Sequence, residues 1–342
     1  MNIFFIGMGN MGEKHFQATH SLKKKYKLNI VGYFDPIKKN VKINNINYVS
    51  EKKISKEFFC KKKISLCIIS TPHFLTKKYV NLIYSTKQNI NIFLEKPLGL
   101  NFKEAKQICK KKRKKQKIFV GLNYRFFSGI KKLIFDLHNN KFGKLSSIEL
   151  SMGHGHNSKM LNSWKLNKDK AGGGVIIDPG IHLINLIQLI FKQEIKVKHC
   201  SIVKNFFWKT GIEEKTLIVL SSKKIPLILI NLSIIKWRGE FIIQVNGDKG
   251  YGEVIGRGSH YGEQIYKTGA KWAWVKSKYK NQKNTEIIRS KSEEKKVFTI
   301  QMDSVLSEIL KRKQPLKPSN HLDALSSMRL IKEIYKCSKK RF

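Results

Sequence analysis

The sequence is poor in acidic residues, in arginine and in cysteine, and it contains no long apolar run. Only 24 of its 342 residues are Asp or Glu, against 68 Lys or Arg, for a formal net charge of +44. No stretch approaches the roughly 18 uncharged apolar residues that a membrane helix needs, so no spanning segment is expected. The five cysteines, Cys60, Cys67, Cys109, Cys200 and Cys337, are odd in number and form no Cys-x-x-Cys pair. That argues against a disulfide framework and a cysteine-based zinc site, and it fits a reduced, cytoplasmic protein. The opening Met-Asn-Ile-Phe-Phe-Ile run has neither a basic start nor a small-residue cleavage site, so it reads as a strand and not as a leader.

The scarcity of arginine bears on the charge. Eight of the 68 basic residues are Arg, at 113, 125, 238, 257, 289, 312, 329 and 341, and the rest are Lys. A basic excess of this size is the footprint of nucleic-acid or anionic-surface binding. Readers of nucleic acid favour arginine, however, whose planar fork grips phosphate and guanine in two places. The lysines also run along the whole chain, which fits compositional drift toward Lys, Asn and Ile. No specific nucleic acid is expected as a partner. The densest run, Lys110 to Lys117, reads either as a nuclear signal or as the solvated end of a helix, where cations complement the dipole.

What is present is a chain with 41% hydrophobic and 11% aromatic residues, enough to bury two cores. Short apolar strands are expected at 2–6, 29–34, 64–70, 90–94 and 117–122. Helices are expected between them, near 13–24, 75–86 and from Asn101, where Glu104 completes a capping box. Strands alternating with helices imply a parallel sheet covered on both faces. After Asn123 the rhythm changes. Helices are expected at 128–139, after a glycine-rich turn within 172–190, and at 302–312 and 320–338. Strands are expected at 145–153, 196–207, 216–221, 227–235 and 240–246, largely without helices between them, as in an antiparallel sheet. Residues 278–297 read as a polar loop. The fold class is therefore α/β, a Rossmann domain at 1–123 followed by 124–342 with a large, mostly antiparallel open sheet.

Gly7-Met8-Gly9-Asn10-Met11-Gly12 directly follows the first strand and opens a helix, and Asp35 closes the second strand, 23 residues after Gly12. This is the dinucleotide fingerprint in its proper context. Gly7 permits the tight turn, Gly9 lets backbone approach a pyrophosphate, and Gly12 lets helix and strand pack. The helix N-terminus then holds the phosphates. Asp35 would accept hydrogen bonds from ribose hydroxyls and repel a 2′-phosphate, which favours NAD over NADP. Glu95-Lys96-Pro97 sits at the end of another strand, where ligands of open α/β sheets bind. Lys96 there is either a substrate-oxygen ligand or one surface lysine among many.

Gly172-Gly173-Gly174 precedes Asp178-Pro179-Gly180-Ile181-His182. If the helix has begun by Asp178, the i, i+4 spacing puts Asp178 and His182 on one face. A carboxylate beside an imidazole orients it and stabilises its charged form, which suits a general base; a capping Asp and a core His is the other reading. His154 and His156 alternate on a strand and form a polar pocket wall more readily than a metal site, since no carboxylate or cysteine partners are nearby. Trp164 either stacks on a sugar ring or fills the core.

These motifs, with Thr71-Pro72, Val245-Asn246-Gly247-Asp248-Lys249-Gly250 and the helix from His321, make the chain resemble the Gfo/Idh/MocA family over nearly its whole length. That family includes glucose-fructose oxidoreductase and inositol dehydrogenases. The resemblance implies that Lys96, Asp178 and His182 form the catalytic group. It also implies that Thr71, Pro72 and Glu95 lie near the nicotinamide end of the cofactor, and that Asn123 and Arg125 line the junction of cofactor and substrate. It implies a final helix that returns to the first domain and a homodimer or homotetramer built through the open sheet. Two positions depart from the family pattern. Thr76 stands where many members have histidine, and Asn185 where many have aspartate, so the substrate hydroxyls read by Arg125, His154, Trp164 and Asn185 are not set by kinship. The expected function is hydride transfer between NAD and a secondary alcohol of a sugar, cyclitol or nucleotide sugar. The alternatives are a family hydrolase or epimerase that uses NAD transiently, and a non-catalytic NAD sensor.

Overall fold

The computed structural model describes residues 1–37, 46–155, 160, 163–191, 194–270, 286–290 and 293–339. Two compact units emerge: one of Met1–Asn123, Asp169–Gly172 and Lys295–Met328, the other of Tyr124–Lys168, Gly173–Glu294 and Arg329–Phe342.

In the first unit the chain runs β1 (Asn2–Ile6), α1 (Asn10–Ser21), α2 (Lys23–Tyr26), β2 (Asn29–Phe34), α3 (Lys56–Lys61), β3 (Ile64–Ile69), α4 (Thr76–Ser85), β4 (Asn91–Leu94), α5 (Phe102–Lys110) and β5 (Ile118–Val120). The five strands are parallel, in the order β2-β1-β3-β4-β5. Their near-continuous apolar runs follow from burial on both faces: Ile3, Phe5, Leu66, Ile68 and Phe93 are all inaccessible to solvent. Met302, Val305 and Leu306, from the helix that follows residue 293, join the same cluster. Each such side chain contributes roughly 1.5–3 kcal/mol of burial. The Tyr26 hydroxyl ties that helix down, 2.8 Å from both Asp303 Oδ1 and Ser307 Oγ. The Asn101 N-cap of α5 forms as the sequence implies, with the Glu104 N–H donating to Asn101 Oδ1 at 3.0 Å.

The topology fixes where a ligand would bind in this unit. After β1 the chain goes outward to β2, then returns across to β3, so the order reverses between β1 and β3. Crevices at such switch points, outside the carboxyl ends of the strands, are where open α/β sheets take ligands. Gly7–Gly12, Asp35, Ser70-Thr71 and Glu95-Lys96 all leave strands at that edge.

In the second unit follow α6 (Ser128–His138), β6 (Leu145–Gly155), α7 (Lys168–Ala171, mostly grouped with the first unit), α8 (Ile181–Phe191), β7 (Lys196–Lys204), β8 (Glu213–Ser221), β9 (Leu227–Ser233), β10 (Ile235–Gly247), β11 (Gly250–Ile255), β12 (Gln264–Gly269) and β13 (Glu286–Ser290). The strands form one sheet, ordered β13-β12-β11-β10-β6-β9-β8-β7, antiparallel except for the β6–β9 pair. Along β8, Thr216, Ile218 and Leu220 are buried while Lys215 and Leu217 are exposed, the alternation of a sheet covered on one face. Helix α8 is buried nearly all round, which matches its Ile-His-Leu-Ile-Asn-Leu-Ile composition. The chain ends with α9 (Glu293–Ile309) and α10 (His321–Cys337), and α10 is divided between the two units at Met328.

Three expectations are corrected. The loop expected over 278–297 gives way to β13, paired with β12, and to α9, which begins at Glu293 and not near 302; residues 278–285 lie outside the described residues. Its polar residues fit an edge strand, where only one side is paired. Strands β11 and β12 were not anticipated, because Gly250 and Gly252 dilute the apolar alternation that marks a strand. Helix α8 starts at Ile181, so Asp178 precedes it, and the helical i, i+4 argument for Asp178 and His182 does not hold.

Candidate functional site

At the edge of the first sheet, Gly9 caps α1 and the Gly7 N–H bonds to the Phe34 carbonyl at 2.8 Å. A Cβ at Gly12 would sit 2.1 Å from the Gly7 carbonyl oxygen, so only glycine lets the helix start this close to its strand. A Cβ at Gly9 would meet nothing within 4 Å, because it would point into open space at the helix N-terminus. That space is the cradle a pyrophosphate would fill. Asn10 and Met11 open the helix beside it. Asp35 is buried, with Oδ2 accepting the Met8 N–H at 2.7 Å and Oδ1 the Ile37 N–H at 2.8 Å. Ser70 Oγ and Thr71 Oγ1 are buried beside Gly7 and have no hydrogen-bond partner among the described residues. Open space, a bare helix N-terminus, an acid at the end of β2 and two unsatisfied hydroxyls fit NAD. Pro72 turns the chain into a short 3-10 helix, where the His73 ring nitrogen lies 3.0 Å from the Ala171 carbonyl.

Glu95 follows β4 and faces His15 of α1, whose Nε2 hydrogen-bonds Glu95 Oε1 closely. His15 is fully buried, with its ring edge-on to Phe93 and Phe298. A Cβ at Gly121 would reach within 2.9 Å of Glu95 Oε1, so the missing side chain there makes room for the carboxylate. Lys96 follows, half-buried, and Asn123 is buried just beyond β5.

In the second unit, Glu213 latches the glycine run. Its Oε1 accepts the Gly174 N–H at 2.7 Å and the Tyr335 hydroxyl, and its carbonyl accepts the Val175 N–H at 3.0 Å. Burial, then the nearby Glu213 charge, pushes the Tyr335 hydroxyl far above its ordinary pKa, so it serves as a donor. The run delivers Asp178, whose Oδ2 is 2.8 Å from Lys165 Nζ. The first turn of α8 then delivers His182, buried, with its ring stacked on Tyr124 at a centroid distance of 4.0 Å and 6° between planes. Arg125 and Asn185 are also buried, with Arg125 Nη2 donating to Asn185 Oδ1 at 3.0 Å. His154 lies near the end of β6, its ring centroid 5.4 Å from that of His260. Burial lowers its pKa below the usual histidine value. Trp164 opens a 3-10 turn, half-buried, and the Ser163 hydroxyl caps that turn. His156 lies outside the described residues. Among the described residues, no group of three or more His, Cys, Asp or Glu could hold a metal ion.

Sequence reading missed four residues here: His15, Tyr124, Lys165 and Arg257. Tyr124 stands between Asn123 and Arg125, both singled out, and its aromatic ring was the available signal. Arg257, whose guanidinium lies 4.9 Å from the centroid of the Tyr124 ring, sits between Gly256 and Gly258, a rare arginine in a glycine turn, and was legible on that ground. His15 and Lys165 carried no such mark.

A switch-point crevice built for a dinucleotide, on a chain that also carries a large mostly antiparallel sheet, defines a dinucleotide-binding protein with a second α/β domain. Residues 1–124 match the oxidoreductase family with the NAD-binding Rossmann fold, and residues 131–253 match the GFO/IDH/MocA C-terminal domain. The chain belongs to the Gfo/Idh/MocA oxidoreductases and carries their NAD-binding domain. It is 23% identical over 225 residues to the glucose-6-phosphate 3-dehydrogenase of Bacillus subtilis, covering 63% of this chain and 61% of that protein. The chain spans between 42% and 61% of the length of the curated relatives it matches. Among solved structures, the transcriptional regulator Gal80p of Kluyveromyces lactis matches with a TM-score of 0.81 at 17% identity, over 99% of this chain and 92% of that one. The WlbA dehydrogenase of Bordetella pertussis, solved with NADH and UDP-GlcNAcA, matches with a TM-score of 0.77 at 13% identity, over 98% and 96% of the two chains. At these identities the structural matches establish the fold. Among the described residues no helix is long and apolar enough to cross a membrane.

Proposed function

We propose that this protein oxidises, reversibly, a secondary alcohol of a sugar, cyclitol or nucleotide-linked sugar, using NAD in preference to NADP. The observation that carries the reading is His182, a buried imidazole fixed flat against Tyr124 at the start of α8, on a chain that bears an NAD-binding domain. When bound, NAD supplies the hydride acceptor. His182 takes the hydroxyl proton as the carbon–hydrogen bond breaks, and Asp178 orients it. Lys96 stabilises negative charge on the substrate oxygen. Asp35 reads the ribose hydroxyls. Gly7, Met8, Gly9, Asn10, Met11 and Gly12 hold the phosphates, while Thr71, Pro72, Glu95 and Asn123 border the nicotinamide end. Arg125, His154, Trp164 and Asn185 contact substrate. The protein's task is alignment, which removes much of the entropic cost of bringing alcohol and nicotinamide together. The sugar substrates of Bacillus subtilis glucose-6-phosphate 3-dehydrogenase and of WlbA, by their names and bound ligands, point the same way. The protein works in the cytoplasm as a homodimer or homotetramer, with exposed Val203, Leu217, Leu227 and Trp237 as the sheet residues offered to a second copy.

The test is a panel of sugars, inositols and nucleotide sugars incubated with NAD and with NADP, read by the absorbance of reduced nicotinamide. Net reduction of NAD by at least one sugar is expected. Conversion of a sugar without net reduced cofactor would instead mark a hydrolase or epimerase with transient NAD use. Tight NADH binding without conversion of any sugar would mark a sensor.

A further inference from the structure

We propose that the substrate carries an anionic substituent, a phosphate or a carboxylate, and that Arg257 receives it. The proposal rests on the sugar-oxidoreductase reading and deepens it. Arg257 follows β11 in a tight turn, Gly256 to Gly262, closed by the Gly258 N–H donating to the Gly262 carbonyl at 2.7 Å. Gly256 and Gly258, either side of it, have φ of +73° and +88°, conformations that hold the intervening side chain out of the strand. The guanidinium lies over three rings, 4.6 Å from the centroid of Tyr261, 4.9 Å from Tyr124 and 5.6 Å from Phe127. Tyr124 is the ring on which His182 stacks. One tyrosine therefore touches both the proposed base and the guanidinium, which places the two within the length of a sugar phosphate. His154 stands at the same place, 6.1 Å from Tyr261 by ring centroids, and feels the charges of Asp178, Lys165 and Arg257. Lys165 and Asp178 pair with each other at 2.8 Å, and Arg257 brings a second cation to the same place.

The residue type matters. In a chain whose basic residues are nearly all lysine, the cation over Tyr124, the ring that also carries the proposed base, is an arginine. A guanidinium stacked on aromatic rings presents a planar fork that matches two oxygens of a phosphate or carboxylate, and the stacking fixes it before the ligand arrives. Lysine offers a mobile point charge without that geometry.

The experiment is titration calorimetry of the NADH-loaded protein with glucose, glucose 6-phosphate and glucuronate. At least one anionic sugar should bind about tenfold or more tighter than glucose, the margin of a charge-assisted hydrogen bond, and raising salt should narrow the gap. The phosphate and carboxylate arms identify which anion the fork takes. Arg257→Met should bring the anionic sugar to the level of glucose and leave glucose unchanged. Arg257→Lys, which keeps the charge and the packing stem, should give an intermediate loss and decides the matter if the methionine variant fails to fold. Glucose binding as tightly as both anionic sugars, no sugar binding at all, or an anion preference that survives substitution of Arg257 would overturn the proposal. Anion-selective binding without turnover of any sugar would instead overturn the oxidoreductase reading and leave the site standing.

Discussion

The imidazole of His182 lies flat on the phenol ring of Tyr124, 4.0 Å between centroids and 6° from parallel. A ring pair of this kind contributes about 0.5–1.5 kcal/mol beyond its burial, and here it also fixes the plane in which His182 presents its nitrogens. The stack needs the ring and not the hydroxyl, which donates to the weak acceptor Met152 Sδ at 3.3 Å. Tyr124→Phe should therefore keep kcat near the parent value. Tyr124→Ala should lower kcat about tenfold at nearly constant NADH affinity. Steady-state kinetics on the two variants checks this, and equal losses in both would refute the positioning role.

The two glycines of the turn should behave differently when given the same methyl group. At Gly12 the methyl carbon would meet the Gly7 carbonyl at 2.1 Å, and at Gly9 it would meet nothing. Gly12→Ala should lower the melting temperature and weaken NADH binding together. Gly9→Ala should melt like the parent and still lose NADH affinity, because the methyl fills the cradle. Thermal melts paired with fluorescence titration of NADH separate the two outcomes.

Asp35 should set cofactor choice. Asp35→Ala removes the acceptor for the ribose hydroxyls and the repulsion of a 2′-phosphate, at the cost of a lost hydrogen bond from the Met8 N–H. NAD affinity should fall about tenfold and NADP affinity should rise relative to it. Parallel titrations of the two reduced cofactors measure the ratio, and an unchanged ratio would remove Asp35 from that role.

Much of this site was legible because its chemistry is local in sequence. The glycine turn, Asp35 and the Asn101–Glu104 cap are each set by residues within one strand–turn–helix, where steric demands and capping geometry act directly. What was not legible depends on tertiary neighbours. Strand β13 lacks a strong apolar pattern and exists because β12 offers a free edge. The shared helical face of Asp178 and His182 required a helix begun by Asp178, and α8 begins at Ile181, since the spacing gives no sign of where the glycine run hands over to it. The pairing of His15 with Glu95, the stack of Tyr124 on His182 and the seat of Arg257 all join residues far apart in sequence, and no periodicity encodes them.

The second unit should show a stability contribution that depends on pH through Asp136. Burial pushes its carboxyl up, but hydrogen bonds from Lys132, Tyr266 and Lys141 outweigh burial and leave the pKa below the ordinary carboxylate value. A depressed folded-state pKa means the charged network stabilises fully above the unfolded-state value of about 3.9. That stability is lost as pH falls through the folded-state value. Asp136→Asn should cost about 1–3 kcal/mol at neutral pH, read from urea midpoints, and the difference from the parent should shrink below pH of about 4. A difference that does not change with pH would mean that packing, and not charge, is at stake.

The central claim is that His182 is the base of an NAD-dependent alcohol oxidation, and the most direct measurement compares His182→Ala with the parent for both turnover and NADH affinity. On this account turnover falls by about 10²-fold to 10⁴-fold, the range of a lost general base, while the dissociation constant for NADH stays within about twofold, because the cofactor's own contacts lie at the Gly7–Gly12 turn and Asp35. Parent-level turnover in His182→Ala would contradict it.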